Sequence, residues 1–121
     1  MNKVSSLAPK EFPELPEVAG VSLAHGSAKI RHKNRSDVLL VQLASGTVAA
    51  GVFTKSRTAA AAVDWCRDIL PNNEVRGLVA NSGNANAFTG QAGVYAVRQI
   101  SKKAAELTEP MKILPGSLRF P

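Results

Sequence analysis

The residues best suited to chemistry lie in one short stretch, Asn81-Ser82-Gly83-Asn84-Ala85-Asn86-Ala87-Phe88-Thr89-Gly90. Side-chain amides donate and accept hydrogen bonds at once, and small neighbours let a ligand approach the backbone closely. The stretch stands between an apolar run and a helical pattern, so it opens a helix whose first N–H groups are unpaired and carry partial positive charge. Asn81, Ser82, Gly83, Asn84 and Asn86 are therefore the candidate pocket residues, suited to a polar or anionic group. The stretch matches neither the dinucleotide fingerprint nor the phosphate-cradling loop, because G-x-G-x-x-G and G-K-[ST] are both missing. A structural role competes with binding: the Asn side chains can cap the helix and hold the loop's own backbone.

Other reactive side chains are sparse. Cys66 stands alone, which excludes an internal disulfide and any multi-cysteine metal site, and it reads as a small packed thiol. His25 and His32 are too few for a zinc centre. No Ser–His–Asp pattern stands out. Asp37, ahead of an apolar run, reads as a turn residue before a site acid, and Trp65 as a packing residue. Net charge is +6 and the pI is about 9.9. Its densest part is Lys29, Arg31, Lys33 and Arg35, with His32 and Asn34 between. Aromatics that would stack on bases are missing from that run, so it reads as a solvated surface and not as a nucleic-acid site. No apolar run approaches the roughly 18 residues of a membrane span, and residues 1–10 lack a signal-peptide core. The expectation is a cytoplasmic protein without a bound cofactor.

The elements that must position the loop follow from patterning. With 45% hydrophobic and 5% aromatic residues in 121, the core is aliphatic and one domain, or part of a larger one, is expected. Pro13 and Pro16 make residues 1–20 loop-like. Val18 to Ala24 predicts a strand, Gly26-Ser27 a turn, and Ala28 to His32 its partner. Val38 to Leu43 is nearly all apolar, as in a strand covered on both faces. Ala44 to Thr47 predicts a turn and Val48 to Phe53 the second arm of a hairpin. Thr58 to Cys66 suits a short helix, Pro71-Asn72-Asn73 a turn, and Arg76 to Ala80 a short buried strand. Gln91 to Leu107 follows as a helix with Val94, Val97, Ile100, Ala104 and Leu107 on one face, and Lys102 and Glu106 form an i,i+4 pair.

As a string, the loop is specific. Arg76-Gly77-Leu78-Val79-Ala80-Asn81-Ser82-Gly83-Asn84-Ala85-Asn86-Ala87-Phe88-Thr89-Gly90 resembles the R-x-[IL]-V-x-N-S-G-N-A-N-A-x-T-G segment of the ornithine/glutamate acetyltransferase family, which typically has Cys where Phe88 stands. Ala49-Ala50-Gly51-Val52-Phe53-Thr54, Val18-Ala19-Gly20-Val21 and Lys103-Ala104-Ala105-Glu106-Leu107 resemble further segments in the same order, so the resemblance covers about residues 16–109. It implies a two-chain, self-cleaving α/β sandwich that moves acetyl from N-acetylornithine to glutamate in arginine biosynthesis, some members also using acetyl-CoA. It further implies an acetyl-threonine intermediate, the threonine heading the second chain after self-cleavage, and a hetero-oligomer of the cleaved chains.

The sequence departs from that pattern near its end. The nucleophilic threonine segment falls beyond residue 121, so the chain is expected to be an N-terminal fragment, inactive alone. An S-T-G-V-I-G segment that helps form the oxyanion hole is expected near residues 114–119, where Leu114-Pro115-Gly116-Ser117-Leu118-Arg119 stands; only Gly116 keeps its place. A one-base frame shift within codon 113 would restore Ser-Thr-Gly-Val-Ile under one choice of codons. The expected organisation is a loop-like 1–15, an acetyltransferase part over 16–109 and a divergent tail over 110–121. The alternatives are a non-enzymatic basic interaction module and a fragment of a related self-cleaving aminopeptidase.

Overall fold

The computed structural model describes residues 6–9, 11, 13–31, 33–72 and 74–108. Three strands form one antiparallel sheet in the order β1-β2-β3: β1 is Val21–Gly26, β2 is Val38–Leu43 and β3 is Gly77–Asn81. Two helices accompany it, α1 over Ala61–Ile69 and α2 over Gly90–Thr108. The β-branched and leucine-rich run of β2 forms the central strand, pairing Leu40 with Ala24 on one side and with Val79 on the other.

Opposed residues in a sheet share a face, so the register sorts the side chains into two rows. Ala24, Leu40 and Val79 lie on one face and all are half-buried. The end of α2 meets that face: Gln42 Nε2 donates to the Thr108 carbonyl at 3.1 Å, and a Cβ built on Gly77 would lie 3.2 Å from Thr108 Cγ2. Thr108 is buried and its hydroxyl donates back to the Ala104 carbonyl at 3.0 Å. On the opposite face, Leu23 and Leu78 flank Val41 and are 65% and 55% exposed. Among the described residues no apolar side chain is fully buried.

The helices have local causes. α1 begins after Ala60, which makes no side-chain cap, and ends where Pro71, without an N–H to donate, follows the capping Leu70. Arg67 ties the preceding segment to α1: it donates to Asp64 at 2.6 Å and to the Thr54 carbonyl at 2.8 Å, and its guanidinium sits 5.7 Å from the Phe53 ring centroid.

Several sequence expectations change. Ala28 to His32 is no strand over its described residues, because the Ala28 and Ile30 N–H groups turn inward to the Asp37 carboxylate. Val48 to Phe53 makes only a single bridge, Val48 to Glu74, since β1 and β3 already occupy both edges of β2. β3 is mostly exposed instead of buried, as it lies at the sheet edge. β1 and α1 begin three residues later than the sequence pattern suggests. Glu106 pairs with Lys103 at 3.0 Å in place of Lys102, and this bond to a cation holds its carboxyl below the ordinary value. Ile100 and Leu107, expected on the packed face of α2, are about half exposed. The tail 110–121, with Gly116, lies outside the described residues, as do His32 and Asn73.

Candidate functional site

Three chain segments meet at one end of the sheet: the exit of β1, the entry of β2 and the exit of β3 into the amide loop. Asp37 joins them. Its N–H donates to the Gly26 carbonyl at 3.0 Å, and its carbonyl accepts the Ser82 N–H at 2.9 Å. Its carboxylate accepts the Ala28 N–H at 2.6 Å and the Ile30 N–H at 2.8 Å. These backbone donors, the Ala28 N–H foremost, hold the Asp37 carboxyl below its ordinary value despite burial. With both oxygens engaged, Asp37 is an anchor and not a proton shuttle.

The amide loop is held from within. Asn81 Nδ2 donates to the Asn84 carbonyl at 2.9 Å, and Asn84 Oδ1 accepts the Asn86 N–H at 3.0 Å. Asn86 does most. Its Nδ2 donates to the Gly93 carbonyl in α2 at 3.0 Å, its Oδ1 accepts the Thr89 hydroxyl at 2.8 Å, and its own carbonyl accepts the Ala61 N–H that opens α1 at 3.4 Å. One loop residue thereby touches the first turns of both helices, and it does so in the left-handed region, φ 51°, which Asn tolerates better than most residues. A Cβ on Gly93 would collide with Thr89 Oγ1 and lie 2.9 Å from Asn86 Oδ1, so this close approach requires glycine.

All five candidate pocket residues, Asn81, Ser82, Gly83, Asn84 and Asn86, are brought together here. The capping reading of the three Asn side chains accounts for their observed bonds. Ser82 Oγ and Asn84 Nδ2 enter none of those bonds and are exposed, which leaves a hydroxyl and an amide donor to meet a ligand. Gly83 lies against the basic loop: its φ is +104°, and a Cβ there would lie 3.0 Å from Arg31 Cβ. Lys29, Arg31, Lys33 and Arg35 are all exposed, and none of them forms an ion pair among the described residues.

Sequence reasoning missed one pair with nucleophile–base geometry. His25 Nδ1 and Ser36 Oγ share a 2.8 Å hydrogen bond at the same sheet end. The strand alternation of β1 and the residue before Asp37 carried no signal that they would meet. The pair is exposed, and the nearby Asp37 carboxylate is already taken by two amides, so Asp37 does not orient the imidazole as a catalytic base requires. Trp65 and Ile69 of α1 and Val94 and Val97 of α2 line a shallow groove between the two helices, and Trp65 is half-buried there. Cys66 is half-buried. Among the described residues no cluster of metal-ligating side chains occurs, and no helix is long and apolar enough to cross a membrane.

The ArgJ family model matches residues 22–117. The arginine biosynthesis bifunctional protein ArgJ of Bradyrhizobium diazoefficiens is 52% identical over 105 residues, which cover 87% of this chain and 25% of that protein. Its counterpart in Nitrobacter winogradskyi is 50% identical over 107 residues, 85% of this chain and 26% of that protein. Among solved structures, ornithine acetyltransferase from Mycobacterium tuberculosis, complexed with ornithine, is similar with a TM-score of 0.63 and 36% identity, covering 67% of this chain and 42% of that one. The chain spans about a quarter of the length of the curated relatives it matches. With the family model matched over most of its length, the chain belongs to the ArgJ family.

Proposed function

We propose that these residues form the N-terminal part of an acetyltransferase that moves acetyl from N-acetylornithine to glutamate in arginine biosynthesis, with acetyl-CoA as a possible further donor. The observation that carries this reading is the N-S-G-N-A-N-A loop held between β3 and α2, within a family match that spans most of the chain. In the reaction, a threonine hydroxyl attacks the acetyl carbonyl, ornithine leaves with its amine restored, and the glutamate amine then takes the acetyl group from the enzyme. Donors that steady the oxyanion complete the machinery, and Gly116 keeps one position of the segment expected to supply them. Asn81, Ser82, Gly83, Asn84 and Asn86 then form one wall of the substrate pocket, with Ser82 Oγ and Asn84 Nδ2 toward the ligand.

On this reading the acyl-carrying threonine belongs to the second chain of the cleaved enzyme, and these residues act together with that chain in a cytoplasmic hetero-oligomer without a bound cofactor. The test is complementation. The chain is co-expressed with the downstream part of a close relative, and acetyl transfer from N-acetylornithine to glutamate is measured. Activity from the pair and none from either part supports the reading; turnover by this chain alone, or a folded pair with no transfer, overturns it.

A further inference from the structure

Asp37 is the only acidic residue buried among the described ones, and strand pairing alone does not require its carboxylate. An apolar or hydroxyl residue would continue β2 as well. What the carboxylate does is curl residues 28–30: both of its oxygens are filled by the N–H groups of Ala28 and Ile30, with Lys29 between them at φ 56°. That curl brings Ile30 and Arg31 against Gly83, where a built Cβ would lie 3.5 Å from Ile30 Cγ2 and 3.0 Å from Arg31 Cβ. The same residue's carbonyl holds the Ser82 N–H. The basic loop and the amide loop therefore touch each other directly and also share one anchor.

We infer that Asp37 is a positioning residue that couples residues 27–31 to the loop after β3, residues 82–89, so that the two move as one unit and Arg31 is held beside the candidate pocket. Its role toward substrate rests on the acetyl-transfer reading. The mechanical coupling does not, and amide exchange reads it without turnover, so failure of one is distinguishable from failure of the other. A carboxylate is needed because it accepts from two amides at once. The Asn amide offers one acceptor oxygen, and its second arm donates.

The experiment is native-state amide exchange on the 15N-labelled chain assembled with the downstream part of a relative, with D37N and D37A. Local opening reports each segment separately, so the expected result is exchange about tenfold faster at Ala28, Ile30 and Ser82 to Asn86 together, with the β1–β2 ladder within about twofold of the parent. D37A should exceed D37N. Faster exchange at Ala28 and Ile30 with Ser82 to Asn86 unchanged overturns the coupling. An equal rise throughout the ladder overturns it too, since Asp37 would then be merely structural. If neither variant folds, G83A supplies the reciprocal test from the other loop. A Cβ there meets Arg31, and the coupling then requires faster exchange at Ala28 and Ile30; unchanged exchange at those two amides overturns it.

Discussion

The open end of the sheet and its uncovered face are built on opposite terms. At the end, polar groups are satisfied within the chain: Asp37 fills both carboxylate oxygens, the Asn side chains close on their own loop, and no buried side-chain nitrogen or oxygen lacks a partner among the described residues. On the face, Leu23 and Leu78 stand more than half exposed beside Val41. Hydrogen bonds are short-range and directional, so a loop can complete them from its own sequence. Apolar burial needs a second surface, and the described residues do not supply one. The geometry of the candidate site can thus be specified before the core around it is finished.

The largest test of that contrast is heating. With no fully buried apolar side chain among the described residues, the purified chain should show no sharp cooperative transition, should bind a hydrophobic dye at low temperature and should associate with increasing concentration. A single steep transition in near-UV circular dichroism would break the comparison. Next in size, Leu40→Ala should remove about 2 kcal/mol of protection from the β1–β2 and β2–β3 amides in hydrogen exchange on the chain assembled with its downstream part, because its row is the covered one. Loss confined to a few tenths would show that this face is no more packed than the other.

A smaller effect is expected from pH. The folded Asp37 carboxyl is held below its ordinary value, so its contribution is fully present above the unfolded value, near 3.8, and is lost as pH falls through the lowered folded one. The Ala28 and Ile30 amide resonances should therefore stay fixed from neutrality to about pH 4 and shift only below it. Movement between pH 5 and 7 would mean that another group holds the loop. Smallest of all, Leu78→Lys should alter local protection by less than about 0.5 kcal/mol, since the side chain is already wet. The same change should prevent complementation by the downstream chain, and complementation that survives it would show that this face stays open in the assembly.

Much of this was legible in the chain itself. Val38 to Leu43 is a strand with the expected bounds, although only one of its two faces is covered among the described residues, where cover on both was expected. The amide loop announced itself by its small residues and by the helical spacing after it, and α2 extends the expected span by only a residue at each end. What stayed hidden was competition between distant segments. Val48 to Phe53 is as strand-like as β3, yet the central strand has two edges and both were taken. Ala28 to Ile30 lost its ladder bonds to a carboxylate seven to nine residues onward. Asp37 was recognisable as a turn residue, but its grip on Ser82 spans the whole α1 region and leaves no local trace. The shift from Lys102 to Lys103 as the partner of Glu106 is a choice between neighbouring rotamers of nearly equal merit, which spacing cannot decide.

Gly93 works as an index pin. Its bare backbone seats the first turn of α2 flush against Asn86 and Thr89, and that fit exists at one rotational setting of the helix. A slip of one position would swing every later side chain by about 100° around the axis. The choice of which stripe of this long helix looks toward the strands, and which outward, is thus made beside the amide loop, fifteen residues before Thr108 at the far end reaches the sheet.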